Sequence, residues 1–394
     1  MKKSIITIIT VCVCGILPTQ AQQSIDEVLQ YIEQSSKELQ AQRRLTEAQK
    51  LEARTGNSLQ NPTVELENLW RHPAKSGSDA ELTVMQGFDF PSAYAARNQI
   101  AKLKGFAYES QGAEVRQQIL LQAKQLCLEI IYLRQQQASL NERLSNTKRL
   151  ATVYAEKLEA GTANILETNK INVELITTQT AVDLNATSLR TCMEQLSNLA
   201  GGNPVNFTAT EYPVEQPLPD YATLEALYLE QNPELQRLAH EHSVDQKSIA
   251  LNKALGLPKF EVGYRHNYGL EGRLNGFAVG MSIPMFENKN KVKAARAQSY
   301  FSDTKLQSAK LNNITQLKQL YQQALTLRAS ATSLETILRN QNTLDLLNKA
   351  LDAGQISVIE YFTEVNALYQ NRETLLKLQK DYRTVTAQIF RYEL

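Results

Sequence analysis

Apolar residues recur on alternating steps of three and four along much of the chain, the spacing of helices that pack along their length. The clearest run begins near Ser92 and ends at Glu159. Its apolar positions are Ile119, Ala123, Leu126, Ile130, Leu133, Leu140, Leu144, Ala151, Tyr154 and Leu158, with Gln137 and Thr147 at the two remaining steps. A helix of this length extends roughly 100 Å at about 1.5 Å per residue. We therefore predict packing against other long helices and not around a globular core.

The pattern predicts that this long helix is followed by a returning one. Gly161 interrupts the first run, and a second run continues over 162–200 until Gly201 and Gly202 stop it. The predicted seam of the returning helix is Leu175, Val182, Leu189, Cys192, Leu196 and Leu199. The two helices together form a predicted hairpin.

Further helices are predicted in both halves of the chain. In the second half, one runs over about 289–352 and another over 357–392. In the first half, a shorter helix is predicted over 24–55, because Ser24 and Glu27 form a capping-box pattern.

Four short segments alternate with a period of two and predict strands. Their apolar faces are Val64, Leu66 and Trp70; Leu82, Val84, Phe88 and Phe90; Phe260, Val262, Tyr264 and Tyr268; and Phe277, Val279, Met281 and Ile283. The opposite faces are polar or glycine. Each segment is long enough to cross a bilayer as a tilted strand. Trp70 and Tyr268 lie at strand ends, where membrane-interface aromatics belong. A soluble sheet whose apolar face meets a helix is the alternative.

The chain contains an internal repeat. Residues 157–167 read Leu, acid, Ala, Gly, three residues, two aliphatics and Glu, and the same pattern recurs over 350–360. Upstream, residues 38–40 recur as residues 234–236. The predicted organisation is a leader over 1–21, a first repeat over 22–202, a Pro-rich linker over 203–222 and a second repeat over 223–394.

The first residues predict an exported protein. Lys2 and Lys3 precede a short apolar stretch, and Ala21 ends a small-residue cleavage pattern. Cys12 and Cys14 each follow a valine, which argues against a lipid anchor. Beyond this leader no run of 18 apolar residues occurs, so a membrane would be crossed by strands. Four strands cannot close a membrane barrel, whereas three copies would supply twelve.

The remaining composition argues against an enzyme and against nucleic-acid binding. The formal net charge is +1, and phosphate loops or nucleophile motifs are absent from the sequence. His240 and His242 do not share a helical face, so no metal site or cofactor is expected. Cys127 and Cys192 fall at similar heights of the predicted hairpin. They either form a disulfide or are two small residues buried in the seam between the helices.

The leader, the duplicated helix–strand–strand–helix–helix unit and the tip glycines together resemble the TolC family of outer-membrane efflux proteins. The transition Phe88-Asp-Phe-Pro91 with Arg97 resembles the CusC/CzcC-like heavy-metal branch. The resemblance implies a mainly α fold with a small transmembrane β part: a trimeric 12-stranded β-barrel on a 12-helix α-barrel. It also implies a periplasmic adaptor, an inner-membrane pump of the RND type and passive conduction of metal ions or drugs. A periplasmic adaptor protein and a structural coiled-coil protein without a pore are the alternatives.

Candidate site residues lie at the two hairpin tips. The resemblance implies an acidic gate at Glu360, and at Glu167 in the first repeat, where mutual repulsion in a ring would raise the pKa values. The alternative is that both are first-turn acids favoured by the helix dipole. Candidate adaptor-docking residues are Leu158, Gly161, Leu351 and Gly354.

Overall fold

The structure is a computed structural model that describes residues 24–70, 78–214, 216–269, 272–339 and 343–394. The predicted leader over 1–21 lies outside the described residues. The helices are α1 (Ile25–Ser35), α2 (Lys37–Thr55), α3 (Pro91–Glu159), α4 (Ile165–Leu199), α5 (Tyr221–Gln231), α6 (Pro233–Ala254), α7 (Lys291–Arg339), α8 (Thr343–Asp352) and α9 (Val358–Ile389). The strands are β1 (Thr63–Trp70), β2 (Ser78–Phe88), β3 (Lys259–Gly269) and β4 (Gly272–Ser282). The mainly α fold with a small β part is confirmed.

The long helix predicted after Pro91 is confirmed as α3, one helix of 69 residues. Pro91 occupies the first turn, where its missing N–H costs no hydrogen bond. All ten predicted apolar seam residues of α3 are buried or half-buried, and Thr147 is buried with them. The helix packs against α2, α4, α6 and α9, so it is the axis around which both repeats assemble.

The predicted seam of α4 is incomplete, mainly in omitting its polar positions. Its six predicted residues are all buried or half-buried, and the buried residues of α4 are Thr168, Ile171, Glu174, Thr178, Asn185 and Leu196. Two of these polar side chains, Asn185 and Glu174, can be buried because α3 supplies partners for them. The Asn185 amide donates to Leu133 O at 3.0 Å and to Gln137 Oε1 at 2.8 Å, and Glu174 pairs with Arg143.

The single helix predicted over 24–55 is also wrong, because Ser36 divides it into α1 and α2. The capping box at Ser24 and Glu27 is confirmed. Ser36 is buried, and its hydroxyl accepts a hydrogen bond from Leu39 N. The second repeat has the same break at Asn232, whose side chain accepts from Glu234 N at 3.0 Å. The duplication therefore includes a helix break that hydrophobic spacing does not reveal.

The helices of the second half are shorter than predicted. The helix expected over 289–352 is described as α7 and α8, and residues 340–342 between them lie outside the described residues. The last helix ends at Ile389, and residues Phe390–Glu393 form a 3-10 turn.

The Pro-rich segment after Gly202 is not a free linker. Val205 and Phe207 are buried. Arg134 of α3 donates to Ala209 O at 2.8 Å and to Phe207 O. This part of the segment is thus fixed along α3.

Buried apolar residues form three separate clusters along the length of the molecule. The first joins α1, the middle of α3, the end of α4 and the Pro-rich segment. The second lies where α3, α4, α8 and α9 meet near the hairpin tips. The third joins α5, α7 and the end of α9. The architecture is therefore elongated, with the sheet at one end of α3 and the tips at the other.

The four strands form one antiparallel sheet in the order β1-β2-β3-β4. Val84 lies opposite Val64 and Tyr264, and Tyr264 lies opposite Phe277. This register confirms that the predicted apolar residues share one face. Phe90, predicted as part of the second strand, instead precedes α3 as its N-cap.

Within the described residues, no helix has both the length and the apolar character needed to cross a membrane.

Cys127 and Cys192 are free thiols, which favours the seam alternative over a disulfide. Cys127 is fully buried, and this burial raises the pKa of its thiol to about 12.

The buried hydrogen bond between Asn185 of α4 and Gln137 of α3 gives a test of stability. We expect Asn185→Ala to destabilise the protein by ~1–3 kcal/mol, because Gln137 Oε1 loses its buried donor. The double change Asn185→Leu with Gln137→Leu removes both polar partners and should cost less. Thermal unfolding of the purified protein, followed by its helical circular dichroism, measures both effects. A double variant as destabilised as the sum of its single variants would contradict this pairing.

Candidate functional site

The apolar face of the sheet is exposed to solvent in the single chain. Phe277 is 92% exposed and Leu66 73%, and Val64, Val279 and Met281 are exposed as well. No described helix packs across this face, which excludes the alternative of a sheet folded onto its own helices. A contiguous exposed apolar surface of this kind marks a protein or membrane interface.

The opposite face of the sheet carries charges and glycines. Glu65, Glu67 and Glu261 lie on it, and Arg265 Nε binds Glu81 Oε1 at 2.8 Å. Glycines pair with Glu261 from both neighbouring strands. This face suits contact with water, so the two faces of one sheet have opposite solvent preferences.

Trp70 and Tyr268 lie at the same end of the sheet, away from the helices, and on the apolar face. Trp70 lies opposite Ser78, and Tyr268 lies opposite Ala80 of the same strand. Both side chains are exposed. The guanidinium of Arg273 lies 5.4 Å from the centre of the Tyr268 ring. The structure thus places the two predicted interface aromatics on one face and at one end of the sheet.

The sheet has two open edges. In the described sheet β1 pairs with β2 alone, and β4 pairs with β3 alone. Each edge strand therefore presents backbone N–H and C=O groups that can bind another strand.

Both hairpin tips turn through a glycine, as predicted. Gly161 has φ 70° and Gly354 has φ 67°, the left-handed conformation that favours glycine. Thr162 N donates to Lys157 O and Gln355 N donates to Ala350 O, each at 2.8 Å. These bonds close the last turn of each helix in the same way.

Glu167 and Glu360 each close a capping box at the start of the returning helix. Glu167 Oε2 accepts from Asn164 N at 3.1 Å, and Glu360 Oε2 accepts from Ser357 N at 2.8 Å. Hydrogen bonds from the backbone and side chain of Ser357 lower the pKa of Glu360. Within one chain the pKa of Glu360 is thus lowered, whereas a ring of like charges is expected to raise it. The difference arises because the carboxylate is hydrogen-bonded to the start of its own helix.

The predicted docking residues differ in accessibility. Gly161 and Gly354 are exposed, and no other side chain approaches within 4 Å of a Cβ built on either glycine. Leu351 is only 4% exposed and packs in the tip cluster, so it supports the hairpin from inside. Leu158 is half-buried.

Sequence reasoning missed two exposed apolar residues at the tips. Leu166 and Ile359 are 70% and 65% exposed. They occupy the same position in the repeated motif, the second of its two aliphatic residues. That recurrence of an aliphatic residue before Glu was the available signal.

Polar contacts join the two hairpins just inside the tips. Asn146 Nδ2 donates to Tyr361 OH at 2.6 Å, and Tyr361 OH donates to Asn348 Oδ1 at 2.8 Å. Arg143 donates to Asn366 Oδ1 at 2.8 Å while it pairs with Glu174. Burial raises the pKa of Tyr361, so its hydroxyl stays a donor. The two tips are therefore held as one unit.

The described histidines engage other partners. His242 Nδ1 lies 3.0 Å from Ser302 Oγ, and the His240 ring lies 5.6 Å from that of Phe106. Among the described residues, no group of three or more His, Cys, Asp or Glu is placed to hold a metal ion.

Solved structures with a similar fold cover almost the whole chain. A membrane protein from Pseudomonas aeruginosa has a TM-score of 0.80 at 13% identity over 93% of both chains. CusC has a TM-score of 0.78 at 15% identity over 93% of this chain and 91% of that one. The outer membrane protein VceC from Vibrio cholerae has a TM-score of 0.77 at 12% identity over 93% and 95%.

These likenesses show the fold alone, because the identities are only 12–15%. The heavy-metal branch stays a prediction. A comparison of the sequence with curated proteins finds no match.

Residues 225–392, which form most of the second repeat, match the family model for outer membrane efflux proteins. The first repeat has the same elements in the same order, and the chain shares the fold of these solved structures. The second repeat is therefore similar in sequence to outer membrane efflux proteins, and the chain has the fold of CusC and VceC over almost its whole length.

Proposed function

We propose that this protein is the outer-membrane channel subunit of a tripartite efflux pump and conducts solutes passively. The observation that carries the proposal is the sheet with an exposed apolar face, a charged opposite face and two open edges. Lipid on one side and water on the other satisfy both faces at once. Burying one large apolar side chain contributes ~1.5–3 kcal/mol, and this sheet exposes several of them.

The open edges support a trimer. Unpaired backbone groups are very costly in lipid, so β1 of one copy must pair with β4 of the next. Two copies of the four-stranded sheet would give eight strands, and the interior of such a barrel is just filled by side chains. Three copies give twelve strands and leave a lumen that the charged face lines.

The helices support the same assembly, because α4 exposes apolar residues as well as burying polar ones. Glu174 and Asn185 are buried against α3, whereas Val173, Ile176 and Leu184 are exposed. On α7, Leu311 and Leu325 are also exposed. These apolar stripes fit helix–helix contacts between copies, which would complete the twelve-helix tunnel.

The tips fit the docking of a periplasmic adaptor. Leu166 and Ile359 present exposed side chains beside the turns, while Gly161 and Gly354 leave their surroundings open. The adaptor would link the channel to an inner-membrane pump of the RND type. That pump would supply the energy, since the channel subunit is proposed to have no catalytic activity and no cofactor.

The location proposed is the outer membrane, with a long periplasmic part formed by the helices. Export would use the leader over 1–21, without a lipid anchor. The exported solutes would be metal ions or drugs, selected by the pump.

The gate proposal places three copies of Glu360 near the axis of the closed tip. The capping box fixes each carboxylate at a defined position, and three such charges would attract cations and repel one another. Glu167, in the equivalent capping box of the first repeat, is the weaker candidate.

Membrane insertion can be tested with two adjacent residues of β1. We expect Leu66→Arg, on the apolar face, to cost ~2–4 kcal/mol on insertion and to reduce the heat-modifiable trimer in the outer-membrane fraction. Glu67→Arg, on the charged face, is the matched control and should keep normal trimer levels. Equal losses in both variants, or a wild-type chain recovered as a soluble monomer, would overturn the channel proposal.

The gate can be tested without disturbing the tip. Glu360→Gln keeps the capping box, which accepts Gln, and removes the charge. We expect higher conductance in planar bilayers and weaker block by divalent cations. Glu167→Gln is the control and should change both less. Unchanged conductance and unchanged cation block in Glu360→Gln would leave this residue with a capping role alone.

A further inference from the structure

The segment between β4 and α7 extends the apolar face of the sheet beyond its last strand. Ile283 continues the alternation of Phe277, Val279 and Met281. Ile283, Met285 and Phe286 are exposed, and Phe286 is 85% exposed. This apolar surface lies at the end of the sheet from which the helices leave.

Four exposed cations follow within the next ten residues: Lys289, Lys291, Lys293 and Arg296. No acidic residue occurs between Glu287 and Asp303. Glu287 itself binds Lys259 Nζ at 3.2 Å. Among the described residues, none of the four cations lies within 4.0 Å of a carboxylate oxygen. We call residues 283–296 the apolar–basic segment.

The equivalent segment of the first repeat is closed by its own residues. Arg97 Nη2 donates to Asp89 Oδ2 at 2.6 Å, and Asp89 N donates to Tyr94 OH at 3.1 Å. The ring of Phe90 lies 6.4 Å from that of Phe260. A strand-to-helix transition in this fold therefore requires neither exposed apolar residues nor a cluster of free cations.

We propose that the apolar–basic segment binds anionic phospholipid at the periplasmic edge of the outer membrane. The inference rests on the proposed function, which places the outer face of the sheet in lipid. Ile283, Met285 and Phe286 would enter the acyl-chain boundary, as interfacial apolar residues do. The four cations would contact headgroup phosphates, and their long side chains can reach that layer.

The distribution of charge favours lipid over a second copy of the chain. Lys293 and Arg296 are three residues apart on α7, so they share one helical face, and Lys291 lies on another face of the same turns. Lys289 lies in the turn that precedes the helix. A single partner helix would contact one face, whereas a layer of headgroups can contact cations on several faces.

The test uses the purified trimer and native mass spectrometry to count retained phosphatidylglycerol and phosphatidylcholine. In the test variant Lys289, Lys291, Lys293 and Arg296 are all changed to Gln. In the control variant the exposed Lys37, Lys148, Lys170 and Lys310 are changed to Gln. We expect retained phosphatidylglycerol to fall about fivefold for each cation that contacts a headgroup, with phosphatidylcholine unchanged and the control like wild type. Equal phosphatidylglycerol retention in all three proteins would overturn the proposal.

Two further measurements separate this proposal from other outcomes. The first is the oligomeric state of the test variant. If the cations pair with a neighbouring copy, this variant dissociates into monomers while any remaining trimer keeps its phosphatidylglycerol, and that result would overturn lipid binding.

The second is the effect of salt on the wild-type trimer. Added salt should release phosphatidylglycerol while the trimer stays assembled. Unchanged phosphatidylglycerol in salt would contradict the proposal, even if the test variant fails to assemble. Failure of the proposed function is distinct, since the wild-type chain would then form no membrane trimer.

Discussion

The backbone of a sheet edge must be hydrogen-bonded wherever water is absent, and this requirement governs the rest of the molecule. The chain builds a four-stranded sheet whose outer face is apolar, yet it leaves β1 and β4 without a second neighbour. Neither the edges nor the apolar face can be satisfied by the described helices. The proposed association with other copies would pair the edges, and the exposed apolar residues of α4 fit that proposal.

The features that depend on local periodicity could be predicted from the sequence. The heptad spacing defined α3, the two-residue alternation defined the faces of all four strands, and the glycines defined the tips. The polar part of the α4 seam could not be predicted in this way. Asn185 and Glu174 are buried only because Gln137 and Arg143 lie opposite them, and that pairing is a property of the assembled hairpin.

The candidate site was predicted less completely than the fold. Leu351 and Ile359 are both aliphatic residues of one motif, but one is buried in the tip cluster and the other is exposed. Their spacing alone does not determine which side of the turn faces inward. Similarly, Ser36 and Asn232 are polar residues within helical patterns, and only their capping bonds reveal them as breaks.

The separation of the buried apolar residues into three clusters has a mechanical consequence. Since cooperativity in an elongated protein is carried between neighbouring packed regions, distant regions can open with different free energies. The tip cluster shares no buried residue with the cluster around α1 or with the one around α5. The packing around the hairpin tips can therefore change while the packing of the other two clusters stays the same.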